Sequence, residues 1–213
     1  MTLLLADGRW PGGGHAHSGG LEAAVQEGAV HDEATLRTFL LGRLLTGGPT
    51  DAWFAAAACR CDPADPTDEL TVSQLQERYE ARVPSAAQRT AGRTLGRGLR
   101  RVASQIWTDG NPIIVEQYVV VLGVVARMAG VAPQLAARIA LHHLVTGAAT
   151  AAPKLFAIDM VHAMRAAVSL APLVDDTIVA YADAQDPPAP RSAPLSELRA
   201  ERHARWDVRL FAS

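Results

Sequence analysis

The chain is poor in lysine, in cysteine and in uninterrupted apolar runs. Lys154 is the only lysine in 213 residues, so arginine carries nearly all the positive charge. Arginine's planar fork suits carboxylate and partner contacts. A net charge of −2 with a pI near 6.4 excludes a general basic field for nucleic acid. Only Cys59 and Cys61 are present, one residue apart. A disulfide between them would close a strained ring, which argues against a disulfide framework and for a reducing compartment. The longest apolar run, Ile113 to Val131, is broken by Glu116, Gln117 and Arg127, so a buried segment is expected there rather than a membrane span. The apolar start Met1 to Leu5 is too short for a signal peptide and Asp7 interrupts it, so a soluble, cytoplasmic protein is the expectation.

Strand-like alternation is also missing, and no internal repeat is visible. Hydrophobic residues nevertheless make up 49% of the chain, enough for a core. The expected fold is all-α, an irregular multi-helix bundle. Residues 1–184 read as the bundle domain. Residues 185–213 read as a Pro-rich linker, Gln185 to Pro194, followed by a short charged helix and a C-terminal tail.

Helix boundaries are written in the caps. Ser18 is placed to cap a first short helix, with Leu21 and Val25 four apart and Gly28 ending it. Asp32 caps a second, whose Leu36, Leu40 and Leu44 form one stripe widened by Phe39. Gly47-Gly48-Pro49 stops it, and Thr50 or Asp51 starts a third with Trp53, Phe54 and a run of alanines. Cys61 to Asp68 is a Pro/Asp loop. Thr71 with Gln74, and Ser85 with Gln88, read as capping boxes. The helix after Ser85 is clearly amphipathic. Leu95, Leu99, Val102 and Ile106 cluster on one side, and Arg89, Arg93, Arg97 and Arg101 drift along the other. Gly92 and Gly96 would let a neighbouring helix approach. Ile113 to Ala129 suits a central helix, although its valines would also suit a buried strand. Pro133 opens a helix to about Ala151, Pro153 opens or bends another carrying Leu155, Phe156, Met160 and Met164, and Leu173 to Ala182 adds one more.

The densest chemistry lies near the start, where Gly12-Gly13-Gly14-His15-Ala16-His17-Ser18-Gly19-Gly20-Leu21-Glu22 runs into the first helix. Glycine runs permit backbone shapes closed to other residues. His15 and His17 are of a type that can hold nickel or zinc, but no Cys, Asp or Glu array completes a site, so a hydrogen-bonding or partner role outweighs metal. The loop lacks the Lys-Ser/Thr ending of a phosphate-binding loop. Ser18 beside two histidines has no acid to complete a triad, and capping explains it. Cys59 and Cys61 read as small core residues. His142 and His143 point about 100° apart on a helix and cannot share an ion, so one is expected buried and bonded, the other exposed. The arginine stripe is either a solvated face or a dock for an acidic partner. The tail Arg209-Leu210-Phe211 either folds back on the bundle or anchors an interface, where aromatics and arginine concentrate energy.

The stretch from Asp7 to Glu22 resembles the signature of the urease accessory protein UreF family, an Ala-Asp followed by Pro-x-Gly-Gly-His-x-His-Ser-x-Gly-Leu/Val-Glu. Gly92-Arg93-Thr94-Leu95-Gly96-Arg97, Val121 to Ala126 and Ala148 to Leu155 are similar to that family's helical middle. The ending from Glu201 to Ser213 is similar to its His-x5-Arg-Leu-Phe-x-Ser terminus, with His203 in the first place. Asn111-Pro112-Ile113 departs from the family's frequent Pro-His.

The resemblance implies an all-helical, non-catalytic protein that tends to dimerise. Its implied partners are the accessory protein UreD (UreH in some systems), the nickel-carrying GTPase UreG and apo-urease, and its implied task is nickel insertion as an assembly chaperone. It implies no cofactor, catalytic residue or metal ligand in this chain itself. Partner contacts carried over are Arg209, Leu210, Phe211, Ser213 and His203 at the exit, and His15, His17, Ser18, Gly20 and Glu22 at the opening. Competing expectations are a helical ligand-binding or regulatory module without enzymatic activity, and a metal-dependent hydrolase using His15 and His17.

Overall fold

The computed structural model describes residues 1–7, 17–62, 70–107 and 112–211. Its elements are α1 (Thr2–Ala6), α2 (Leu21–Gln26), α3 (Glu33–Thr46), α4 (Gly48–Arg60), α5 (Val72–Glu80), α6 (Ala86–Ile106), α7 (Tyr118–Met128), α8 (Pro133–Ala151), α9 (Met160–Val168), α10 (Ala171–Tyr181) and α11 (Pro194–His203). No strand occurs among the described residues, as the missing alternation predicts.

Two helices, α4 and α8, form the middle of the molecule and split its core. On one side Trp53, Phe54, Ala55 and Ala58 of α4 and Ile139 of α8 pack with Leu75, Leu99 and the valines of α7. On the other, Ala52 and Ala56 of α4 and Leu141 and Val145 of α8 pack with Leu36, Leu40 and Leu44 of α3 and with α9 and α10. The predicted α3 stripe is fully buried, worth roughly 1.5–3 kcal/mol per leucine. Alanine suits α4 because both of its faces are covered and neighbouring helices can approach closely. One such close approach is at Gly123 of α7. A Cβ there would strike the Ala55 carbonyl and lie 2.6 Å from the Ala58 methyl group.

The capping expectations hold at Asp32 and at Thr71. Asp32 and Thr35 form a reciprocal box, as do Thr71 and Gln74. The short charged helix expected after the linker is α11, which begins at Pro194. Elsewhere the structure corrects the sequence. Gly47 ends α3, but Gly48 and Pro49 already belong to α4, because proline's fixed φ fits a first turn. Ser85 accepts from the Gln88 amide at 3.1 Å, yet no reciprocal bond forms: Gln88 reaches Ser196, and the Ser85 hydroxyl donates to Glu201 at 2.7 Å. The stretch expected as one helix from Ile113 is extended as far as Gln117, and α7 starts only at Tyr118. Pro153 sits in a 3₁₀ turn, Ala152–Lys154, and Leu155 and Phe156 lie in the break before α9, which Asp159 caps. Helix α1 has no counterpart in the sequence reading; it packs on α8 through buried Leu5.

The buried face of α6 is also rotated from its expected place. Gly96, Leu99 and Ala103 point inward, while Ile106 is 51% exposed. The extended segment before α7 lies flush on α6, and a Cβ at Gly96 would collide with the Glu116 carbonyl. Close approach is therefore what the glycine pair provides, to a strand-like segment rather than to a helix. Gln117, 1% exposed, fills the seam, donating to Glu80 at 3.1 Å and to the Arg89 carbonyl at 3.0 Å. The arginine stripe is mostly tied down: Arg93 pairs with Glu80, Arg97 and Arg100 with Glu116, and Arg89 donates to the Val83 and Pro84 carbonyls.

Candidate functional site

The opening and closing motifs meet at one carboxylate. Gly19 (φ +62°) and Gly20 (φ +87°) turn the chain into α2 through left-handed backbone that favours glycine. Gly20 takes the N-cap position, and the cap oxygen comes from two residues earlier: buried Ser18 accepts from the Glu22 amide at 3.3 Å. This geometry turns Glu22 inward, where its side chain is 4% exposed. Its Oε1 accepts from the Leu210 amide at 2.8 Å, and its Oε2 from the Phe211 amide at 3.0 Å and from His203 Nε2 at 2.9 Å.

Burial pushes the Glu22 carboxyl up, but the Leu210 amide, the His203 ring and the Phe211 amide outweigh it and hold it below its ordinary 4.5. Glu22 is therefore ionised at neutral pH and accepts all three bonds, and Nε2 of His203 carries the proton. Charge-assisted bonds of this kind are about twice as strong as neutral ones. His203 ends α11 and packs against Trp206 with ring centroids 4.8 Å apart and the rings tilted by 57°.

Secondary contacts fasten the same corner. Glu27 of α2 pairs with Arg199 and Arg202 of α11. Glu201 accepts from Ser85 and from the Ala87 amide, at the positive end of α6. Phe211 is 6% exposed, and Lys154 lies 5.8 Å from its ring centroid. Leu210, one residue earlier, is 70% exposed, and Val208 and Arg209 are exposed as well. Of the two expectations for the tail, folding back is observed for Phe211, while Leu210 faces solvent.

The structure thus brings together Ser18, Gly20, Glu22, His203, Leu210 and Phe211. His17 is nearly buried beside the same turn. His15 and Ser213 lie outside the described residues. Among the described residues no group of three or more His, Cys, Asp or Glu side chains is arranged to hold a metal ion. Cys59 and Cys61 are buried thiols outside any disulfide, donating to the Val131 and Leu70 carbonyls, and burial pushes the Cys59 thiol up to about 11.

A second polar cluster lies along a cleft of about 1040 Å³ that also borders His17, His203 and Phe211. Tyr79 donates to Asp51 at 2.9 Å, and Arg43 donates to the Leu144 carbonyl at 2.6 Å. Burial raises Asp51 to about 6, against the Tyr79 bond and the Arg43 charge. His143 bonds Tyr118 at 2.5 Å through Nδ1 and the Ala6 carbonyl at 3.3 Å through Nε2. A carbonyl only accepts, so Nε2 carries the hydrogen and Tyr118 donates to Nδ1. Burial pushes His143 down to about 4, while His142 is exposed, as the adjacent pair predicts. Sequence reasoning missed Arg43, Asp51 and Tyr79 as a group. Each looks ordinary on its own helix, and no local spacing links residues on α3, α4 and α5.

Residues 30–171 match the family described as UreF. The chain belongs to the UreF family. The urease accessory protein UreF of Mycobacterium sp. (strain JLS) is 38% identical over 214 residues, covering 99% of this chain and 97% of that protein. The protein of the same name from Mycolicibacterium vanbaalenii is 38% identical over 214 residues, with the same coverage. That of Mycobacterium tuberculosis is 36% identical over 220 residues, covering 100% and 98%. The family match spans the helical middle, and the near-full-length alignments extend across both terminal motifs that Glu22 joins. No helix among the described residues is long and apolar enough to cross a membrane.

Proposed function

We propose that this protein is a urease maturation factor, a non-catalytic scaffold acting in the cytoplasm. It joins UreD/UreH and the GTPase UreG to apo-urease so that nickel, the cargo, enters the urease active site. Family membership supports the maturation role. The observation that carries the scaffold reading is the Glu22 junction: a buried ionised carboxylate is committed to hydrogen bonds with the tail and to no reacting group. Beside it, Val208 and Leu210 face solvent next to exposed Arg209, and arginine is a residue type on which partners concentrate binding energy. In this reading residues 1–184 are the body and 185–213 the linker and partner-binding segment, and the chain pairs with a second copy. Co-purification of UreD/UreH and UreG with the full chain, and their loss on deletion of Arg209 to Ser213, is the expected result. Urease reaching full activity in cells lacking this protein overturns the reading.

A second reading, a helical ligand-binding module, draws on the cleft beside Arg43, Asp51 and Tyr79. It requires a small molecule that travels with the purified chain, which native mass spectrometry would reveal.

A further inference from the structure

Two arginines of this chain present a carboxylate fork in the same way. Arg93 gives its Nε and Nη2 to the two carboxylate oxygens of Glu80, and Arg165 gives the same edge to Glu33. Two parallel bonds along that edge are the geometry in which a guanidinium holds a carboxylate. Arg43 departs from the pattern. Its Nη1 donates to the Leu144 carbonyl at 2.6 Å. One flat face lies under Gly19, where a Cβ would come within 2.6 Å of Nη1 and 2.7 Å of Cζ and Nη2. Its Nε–Nη2 edge has no acceptor among the described residues. Asp51 acts on it only through space, and the Asp51 carboxylate accepts from the Tyr79 hydroxyl instead. Burial disfavours the Arg43 charge, and Asp51 and Tyr79 offset that only in part. A desolvated charge without a paired counter-charge is costly.

Arg43 lines the cleft of about 1040 Å³, and Arg82 lines it too. Arg82 gives Nη1 to the Arg78 carbonyl and lies 5.5 Å from the Phe54 ring centroid, while its buried Nε has no partner. Leu95 and Leu99 of α6 and Val119 and Leu122 of α7 form apolar wall of the same cleft. Apolar walls with a few convergent polar groups are the form of a small-molecule site. We propose that the cleft is a binding site for a small organic anion, whose carboxylate takes the free Nε–Nη2 edge of Arg43 and whose apolar body lies along the leucine and valine walls. The anion supplies the counter-charge that Arg43 lacks. Leu144 and Gly19 already hold the guanidinium in place, so little has to be ordered on binding. Arg82 adds a second positive charge to the lining and favours anions over neutral molecules of equal size. The ligand class rests on the ligand-module reading of this cleft given above.

An NMR titration of the full-length chain with octanoate tests the site, with octan-1-ol as the uncharged counterpart. Octanoate is expected to bind saturably, one per chain, with the largest shifts at the amides of Arg43, Tyr79, Leu122 and Leu144. Octan-1-ol is expected to bind roughly tenfold or more weakly, because hydrogen bonds to a charged group carry the difference. Arg43→Met keeps an apolar stem and removes the fork; it is expected to weaken octanoate by roughly tenfold and to leave octan-1-ol unchanged. Equal binding of the two probes, absence of saturable octanoate binding, or undiminished octanoate binding to Arg43→Met each overturns the proposal. Should Arg43→Met fail to fold, the wild-type Arg43 Nε–H resonance decides. A shift with octanoate and none with octan-1-ol supports the site, and no shift with octanoate overturns it. Native mass spectrometry separates this proposal from the reading beneath it. An uncharged molecule that travels with the purified chain keeps the ligand-module reading and overturns the anion. A chain that purifies empty yet takes octanoate through Arg43 supports the site and ends the ligand-module reading.

Discussion

The α4–α7 seam and the Glu22 junction are both buried, and they are built by opposite means. At the seam, Gly123 lets one helix backbone rest on Ala55 and Ala58 of another, with no charged group between them. Its energy is spread over many small contacts, each worth a few tenths of a kcal/mol. At the junction a single ionised carboxylate takes three donors from segments 181 to 189 residues away. The seam can fail only by crowding or by a void. The junction can fail by one proton or one atom, without disturbing the core.

The seam should break hardest. Gly123→Val places branched carbons against the Ala55 carbonyl and is expected to destabilise the protein by about 3 kcal/mol or more in urea unfolding. The tail should follow the body in that variant, with a single transition.

Asp51 tests whether buried charge behaves the same way in both regions. Its folded pKa, raised to about 6 from 3.8, means that its stabilising contribution is full below 3.8 and is lost as pH rises through about 6. The loss amounts to roughly 3 kcal/mol. Asp51→Asn keeps an acceptor for Tyr79 and is expected to remove that slope when urea stability is compared between pH 4 and pH 7.

Glu22 has the opposite sign. Its folded pKa lies below 4.5, so its contribution is present above that value and fades as pH falls through the depressed folded value. On acidification, protection of the Leu210 and Phe211 amides should be lost before that of α4 and α7, by on the order of 2 kcal/mol of local stability. Cys59 at the seam, with its thiol pushed up to about 11, does not titrate in this range. A tail whose protection stays constant down to global acid unfolding would erase the contrast.

The smallest effect is expected at Ile106. Sequence periodicity places it in the core, but it is 51% exposed. Ile106→Ser should change the unfolding free energy by no more than about 0.5 kcal/mol. A loss of about 2 kcal/mol would restore the unrotated face of α6.

Much of the helical body was legible because its signals are local. The Leu36, Leu40 and Leu44 stripe, the Asp32 and Thr71 caps and the Pro133 start each act within four residues. The errors arise where a distant segment changes the local answer. Gln117 ends the extended run because Gln76, Glu80 and Arg89 supply partners for its polar groups, and Gly96 leaves room for the backbone. The same contact turns the buried arc of α6 away from Ile106. Glu22 and His203 were both singled out, yet nothing in a single chain of letters says that they touch.

Composition, caps and periodicity by themselves determined that this chain is helical and where helices such as α3, α5 and α8 begin. Those properties depend on backbone and side-chain preferences within one or two turns. Only the tertiary structure decided which face of α6 is buried, that α4 and α8 divide the core, and that one carboxylate gathers both termini. Each of these depends on through-space contact between residues far apart in the chain, where burial and charge set the energy and sequence distance does not.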